Sequence, residues 1–163
     1  MIIWQIALSE TLADTKIIAE AWDNGGLYKV GSFPGYRWGV WNGRFRDTIR
    51  RFVKGDEGYF DGKTLLSKVA DVISGSADIF AASNELPINS VNFITAHDGF
   101  TFNDLVSYDY KHNQDGIDEN LGWNCGAEGE TTDKAILALR NRQVKNLSSS
   151  IGRSSWESFS GLR

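Results

Sequence analysis

Apolar positions along this chain recur in short bursts, and the period of each burst decides the element it predicts. Ile2, Ile3, Ile6 and Ala7 fall on one face of a helix. After the turn signal Asp14-Thr15, the run Lys16-Ile17-Ile18-Ala19 has the length and branching of a buried strand, and it ends at Glu20. Residues 24–43 carry glycines, aromatics and Pro34 at no period, which predicts a long irregular loop of the functional or mobile kind. Trp41, Phe45, Ile49, Phe52 and Val53 then return at helical spacing, with Asn42 as N-cap and Gly55 as the stop. On the opposite side of that helix Arg44, Asp47, Arg50, Arg51 and Lys54 make a solvated face, to which Arg46 also belongs.

Leu65, Leu66, Val69, Val72 and Ile73 repeat the helical pattern up to Gly75. Residues 90–96 form the next strand candidate, which ends at His97-Asp98-Gly99, and Thr101 with Asp104 fits a capping box that opens a short helix. Residues 109–130 are a second long loop, and a helix is predicted over 132–147. The last 16 residues hold seven serines among scattered apolar positions, so residues 148–163 are set apart as a disordered tail behind a domain over 1–147. Strand, loop, helix and strand in this order predict an α/β protein with parallel strands, and no internal repeat argues for a solenoid. In such folds the carboxyl ends of the strands face the active site, so Glu20 and His97-Asp98 are expected to converge on one face.

Composition narrows the partners. The 163 residues carry a formal charge of −4, which disfavours nucleic acid and anionic membrane surfaces as partners. A single cysteine, Cys125, excludes an internal disulfide framework, and no apolar run has the roughly 20 residues of a membrane span. These features place the chain in the cytoplasm, or in a plastid if its source is a plant or alga. Aromatic residues at 12% and 17 glycines are what a sugar-binding cleft needs.

Two carboxylates across a cleft are the minimum equipment for glycoside hydrolysis. Glu20, beside apolar neighbours and close to Trp22, and Asp98, beside His97, are the candidates at the two strand ends. The same residues admit structural readings: Glu20 capping a strand or pairing with an arginine, Asp98 in an Asp-Gly turn, His97 as a satisfied side chain, Trp22 as core packing. Cys125 has no local signature of a nucleophile. Fourteen residues separate His97 from His112, outside the short spacings of zinc sites, so no metal is expected. No glycine-rich phosphate loop is present, and no cofactor is expected.

Several segments are similar to those of a known family. Ile17-Ile18-Ala19-Glu20-Ala21-Trp22-Asp23, followed by Gly25-Gly26-Leu27-Tyr28-Lys29-Val30-Gly31-Ser32-Phe33-Pro34, resembles the strand and loop around the general acid of isoamylase-type starch and glycogen debranching enzymes, members of the α-amylase superfamily. Trp41-Asn42-Gly43-Arg44-Phe45-Arg46-Asp47 resembles the helix that follows. Val91 through Thr101 is similar to the family's later active-site strand, and Lys111-His112-Asn113 with Trp123-Asn124-Cys125-Gly126 to its following loop. The resemblance runs over roughly residues 14–147.

It implies a partial (β/α) TIM-type barrel, the region of barrel strands 5 to 7, and retaining hydrolysis of α-1,6 branch linkages in glycogen, starch or amylopectin. By resemblance Glu20 is the general acid/base, Asp98 the carboxylate that stabilises the transition state, and His97 a substrate-binding neighbour, with Trp22 and Asp23 at the cleft. The family's nucleophile, an aspartate on an earlier strand in an Arg-x-Asp motif, has no counterpart before Glu20. A closed barrel takes about 250 residues. The expectation is therefore a barrel fragment, inactive alone, whose partner is the rest of a barrel or a homologous subunit. The alternative is a non-catalytic α-glucan-binding or regulatory subunit that uses Trp22, Tyr28, Trp38 and His97.

Overall fold

A computed structural model of the chain describes residues 2–23, 25–112 and 120–160, with side chains as far as Ile151. Helix α1 (Ile2–Ala7) leads through a 3-10 turn, Glu10–Leu12, to strand β1 (Ile18–Ala19). Strand β2 (Gly39–Asn42) passes into helix α2 (Gly43–Lys54) with no residue between them. A hairpin of β3 (Tyr59–Phe60) and β4 (Lys63–Thr64) precedes α3 (Leu65–Ile73) and the single turn α4 (Ala77–Phe80). Two 3-10 turns, Ala81–Ser83 and Pro87–Asn89, bring the chain to β5 (Ser90–Asn92), followed by α5 (Phe102–Leu105) and α6 (Lys134–Ser160).

Strands β1, β2 and β5 form a parallel sheet in that order, with Ile18 opposite Gly39 and Trp41 opposite Val91. The chain is thus a mixed α/β protein. Parallel neighbours need a crossover, usually helical. From β2 to β5 the crossover is α2, the hairpin, α3 and α4, whereas the described residues between β1 and β2 form no helix. Helix α2 packs against α3 and α6, both α2 and α6 touch β5, and Val40 and Asn42 are fully buried on one side of the sheet. On its other side Ile18, Gly39 and Val91 come together, a Cβ on Gly39 falling 3.1 Å from Val91 and 3.5 Å from Ile18; there Ile18 stays 42% exposed.

Helix α2 starts where the sequence places its cap. The Asn42 Oδ1 accepts from the Phe45 N–H at 2.9 Å, and its amide donates to the hydroxyls of Ser76 (3.0 Å) and Ser90 (2.9 Å). One buried side chain therefore ties β2, α2, the turn before α4 and β5 together. Gly55, at φ 89°, ends the helix in the left-handed conformation that a side chain would strain. Thr64 caps α3, and Thr101 with Asp104 makes the predicted capping box of α5.

One hydrophobic cluster gathers Phe45 and Ile49 of α2, Val72 of α3, Ile94 beyond β5, and Leu147 of α6; a smaller one holds Ala19, Val40, Val30 and Phe80.

Several expectations change. Residues 24–43 are not loop throughout, because Gly39–Asn42 is the central strand and Trp41 lies on it rather than on a helix face. The strand expected over 90–96 pairs only over Ser90–Asn92. The inward stripe of α2 is also rotated: Phe52 is 48% exposed, while Arg50 is 5% exposed and not part of the solvated face. Its guanidinium is buried because it meets backbone carbonyls, Nε and Nη2 donating to Ile94 O (2.9 and 2.5 Å) and Nη1 to Asn120 O (2.8 Å). Arg37 acts likewise on the N-terminal segment, reaching the carbonyls of Ala7, Leu12, Ala13 and Thr15.

Helix α6 continues past residue 147. Ser148 and Ser150 return their hydroxyls to the carbonyls of Val144 and Asn146, both at 2.9 Å, and Ile151 packs on the larger cluster. The remainder of the serine-rich segment lies outside the described side chains. Among the described residues no helix is long and apolar enough to cross a membrane.

Arg50→Met should leave the Ile94 and Asn120 carbonyls without their donor and cost about 2–4 kcal/mol in denaturant unfolding. Arg44→Met, which breaks the part-exposed pair with Asp78, should cost under about 1 kcal/mol in the same measurement.

Candidate functional site

The parallel sheet fixes where the strand-end residues go. Glu20 follows β1 directly, and the register carried one residue on sets it level with Trp41 of β2. It is exposed, not walled in by the apolar neighbours that flank it in sequence. His97 and Asp98 follow β5 by a few residues and are exposed as well. The His97 ring stands edge-on to Trp41, centroids 6.0 Å apart, and Trp41 in turn packs on Phe93 at 5.2 Å. Glu20 and the His97-Asp98 pair thus belong to the same carboxyl edge, with β2 between their strands. At about 4.8 Å per strand, the axes of β1 and β5 are about 10 Å apart.

The segment that carries His97 and Asp98 is braced from behind. Arg50 holds the Ile94 carbonyl before it and the Asn120 carbonyl across from it, and the Asn120 side chain accepts from the Phe100 N–H (3.1 Å) after it. Burial lowers the Arg50 guanidinium to about 10; neighbouring Arg46 adds to that shift, and Asp47 and Asp98 oppose it. Lys111 donates to the Asp98 carbonyl at 3.1 Å. Asn113, the last residue of the Lys111-His112-Asn113 motif, lies outside the described residues.

Beyond Lys111 the second loop closes on a polar network. Glu128 accepts from the Asp109 N–H (2.9 Å), from Asn124 Nδ2 (3.2 Å) and pairs with His112 Nε2 (2.8 Å). Asn124 is itself held by both carboxylate oxygens of Asp109, at 2.8 Å each. The Asp109 N–H chiefly, with the His112 and Asn124 side chains, pulls the Glu128 carboxyl from its ordinary 4.5 down to about 2. Arg140 of α6 supports the same loop by donating to the carbonyls of Gly129 (2.8 Å), Asn124 (3.0 Å) and Ala127. Cys125 sits inside this loop, buried at φ 57°, and burial pushes its thiol up, opposite to what a nucleophile needs.

Trp22 and Asp23 begin a hairpin-like loop after β1. Trp22 bridges to Tyr28 and stacks on its ring, centroids 6.2 Å apart at 18°. The Asp23 Oδ1 caps that loop, accepting from the N–H groups of Gly25 (2.8 Å) and Leu27 (3.0 Å). Both residues line a groove of about 760 Å³ against the flank of α2, and neither Glu20 nor Asp98 is among its walls. A smaller hollow of about 530 Å³ lies between Gly99, Tyr108, Tyr110 and His112. Among the described residues no group of three or more His, Cys, Asp or Glu side chains is placed to hold a metal ion.

The structure therefore brings Glu20, His97 and Asp98 to one sheet edge and sets Trp22 and Asp23 beside it in a separate groove. Sequence reasoning missed Arg50 and Asn120, the residues that brace the His97-Asp98 segment. Arg50 lies seven positions after Gly43 on α2, two helical turns along one face, and both are buried; the small residue at 43 was the available signal.

No family model matches the chain. Among curated proteins it is 50% identical to isoamylase 3, chloroplastic, of rice (Oryza sativa subsp. japonica), over 89% of this chain and 19% of the relative. It is 47% identical to the glycogen operon protein GlgX homolog of Mycobacterium tuberculosis, over 83% of this chain and 19% of the relative. With the glycogen debranching enzyme of Serratia proteamaculans it shares 42% identity, over 80% of this chain and 20% of the relative. The chain spans about a fifth of the length of these relatives. Over most of its own length, then, this chain is similar to isoamylases and to GlgX-type glycogen debranching enzymes.

Proposed function

We propose that the chain carries the acid/base segment of an α-glucan debranching site, with β1, β2 and β5 as barrel strands 5, 6 and 7. One observation carries the reading: in a chain similar in sequence to debranching enzymes, the Glu20 and His97-Asp98 motifs both end up at the carboxyl edge of a parallel sheet, where barrel enzymes keep their chemistry. Helices α2 and α6 against β5, and an opposite face on which Ile18 is exposed while Gly39, Trp41 and Val91 are half-buried, fit a barrel wall; further strands would pair at the outer edges of β1 and β5. The rest of such a barrel is the partner this reading requires.

In this role Glu20 protonates the oxygen of an α-1,6 linkage as it breaks and later takes a proton from the attacking water. Asp98 and His97 hold hydroxyls of the sugar at the reacting bond, and Asp98 carries negative charge beside the developing oxocarbenium ion. Trp22 and Asp23 meet the glucan in the neighbouring groove, away from the reacting bond. A retaining reaction also needs a nucleophilic carboxylate about 5–5.5 Å from the acid. The resemblance gives Asp98 charge stabilisation rather than attack, so the nucleophile comes from the rest of the barrel. The chain alone accordingly binds α-glucan without hydrolysing it.

Two measurements test this. In native gels containing amylopectin the purified chain should be retarded, and Asp98→Asn or His97→Ala should each weaken the retardation about five-fold, one lost charged or polar contact. No retardation of the native chain would overturn the reading. Reducing ends should not be released from amylopectin; release that disappears in Glu20→Gln would overturn the proposed inactivity while confirming the acid.

The loop that holds Lys111 on Asp98 supplies a pH dependence. Glu128 is lowered in the folded chain, so its contribution is complete above its ordinary 4.5 and is lost as the pH falls toward about 2. Acidification through that window should expose Trp123, seen as a fluorescence shift, before the chain unfolds. Glu128→Gln should remove the acid-side step and leave the loop loosened at neutral pH.

A further inference from the structure

We propose that the groove beside α2 is a second carbohydrate site, one that takes a neutral oligosaccharide chain apart from Glu20 and Asp98. The choice of an α-glucan as the sugar rests on the function proposed above; the groove and the class of ligand do not. Its volume, about 760 Å³, is within the roughly 300–1,000 Å³ of small-molecule sites.

Aromatic surface is available on both walls. On one side Trp22 and Tyr28 stack on each other, and Tyr28 stays 47% exposed. On the other, the β3–β4 hairpin presents Tyr59, 77% exposed, next to Phe60, whose ring lies 4.7 Å from the Arg51 guanidinium. Exposed aromatic faces are costly to leave in water, and the CH face of a sugar ring covers them without requiring charge.

The charges of the groove decide between ligand classes. Arg44 is paired with Asp78 at 2.9 Å, Arg46 with Asp47 at 2.6 Å, Arg51 with Asp56 at 3.3 Å, and Lys68 with Asp61. Each cation already has its carboxylate, so the walls offer many fixed donors and acceptors and little net field. A phosphate or carboxylate ligand would have to displace those partners, because anion sites rely on cations free to make charge-assisted bonds. A polyhydroxylated neutral chain can use the pairs as they stand.

A chain of ring contacts links the groove's lining to the strand edge. The Arg46 guanidinium lies 5.5 Å from the Phe93 ring, Phe93 packs on Trp41, and Trp41 on His97. A long chain can therefore lie from the groove toward the strand ends, whereas a disaccharide reaches only one of them.

The test is titration of the full chain with maltoheptaose and maltose, followed by calorimetry. Maltoheptaose should bind more tightly than maltose. Tyr59→Ala, whose side chain is too exposed to matter for folding, should weaken maltoheptaose about five-fold, the value of one aromatic contact. The double variant Glu20→Gln, Asp98→Asn should keep that part of the affinity which Tyr59→Ala removes. Unchanged binding in Tyr59→Ala, or no binding by the native chain, overturns the groove. So does displacement of maltoheptaose by inorganic phosphate. Loss of binding in the double variant but not in Tyr59→Ala overturns the groove and leaves the strand-edge reading standing; the reverse pattern upholds the groove and counts against that reading.

Discussion

The carboxyl edge of this chain depends on the buried guanidinium of Arg50. Strands of two to four residues make few ladder bonds, so the carbonyls around them would be buried without donors. Arg50 supplies donors to Ile94 and Asn120 from a rigid helix, and Asn120 completes the bracket at Phe100. Elsewhere the same problem is met the same way: Arg37 gathers the carbonyls around α1, Arg140 those of the 124–129 loop, and Asn89 donates to the carbonyls of Tyr36 and Trp38. In each case a side chain does the work that a longer strand would do through its backbone. Arginine suits it because several donors in a fixed fork satisfy more than one carbonyl at once.

The second organising group is Asn42. It caps α2 with its oxygen and spends its amide hydrogens on Ser76 and Ser90, so the middle strand, the helix that leaves it and the neighbouring strand share one buried polar point. A fully satisfied polar centre of this kind fixes one arrangement, since any shift of β2 against β5 strands a donor in the interior. The positions of the sheet-edge residues follow from that register.

Much of this was legible in the sequence, and the parts that were share a property: they rest on local chemistry. Asn42, Thr101 with Asp104, and Gly55 announce helix ends by interactions within a turn, and β1 and the existence of α2 and α3 announce themselves by period. What escaped depends on distant partners. The four residues of β2 follow a glycine- and aromatic-rich stretch, and Trp41 suits a helix face as well as a strand, so only pairing with β1 and β5 decides. The burial of Arg50 is set by carbonyls 44 and 70 residues away, which no window over α2 contains. Of the site, the strand-end motifs could be read and placed on one edge; the exposure of Glu20 and the commitment of Asp23 to its own loop could not, because both are properties of the surface around them.

Strand β2 turns into α2 without a single connecting residue. The central strand consequently raises no loop over the sheet edge, and among the described residues the segments after β1 and β5 are what an approaching molecule meets there. Both are long, and each is braced from outside the edge, by Asp23 in one and by Arg50, Lys111 and Glu128 in the other. Lineages that need a different ligand shape can lengthen or recolour these two segments without disturbing Asn42, so divergence among relatives should concentrate in the flanking loops and spare the middle of the sheet.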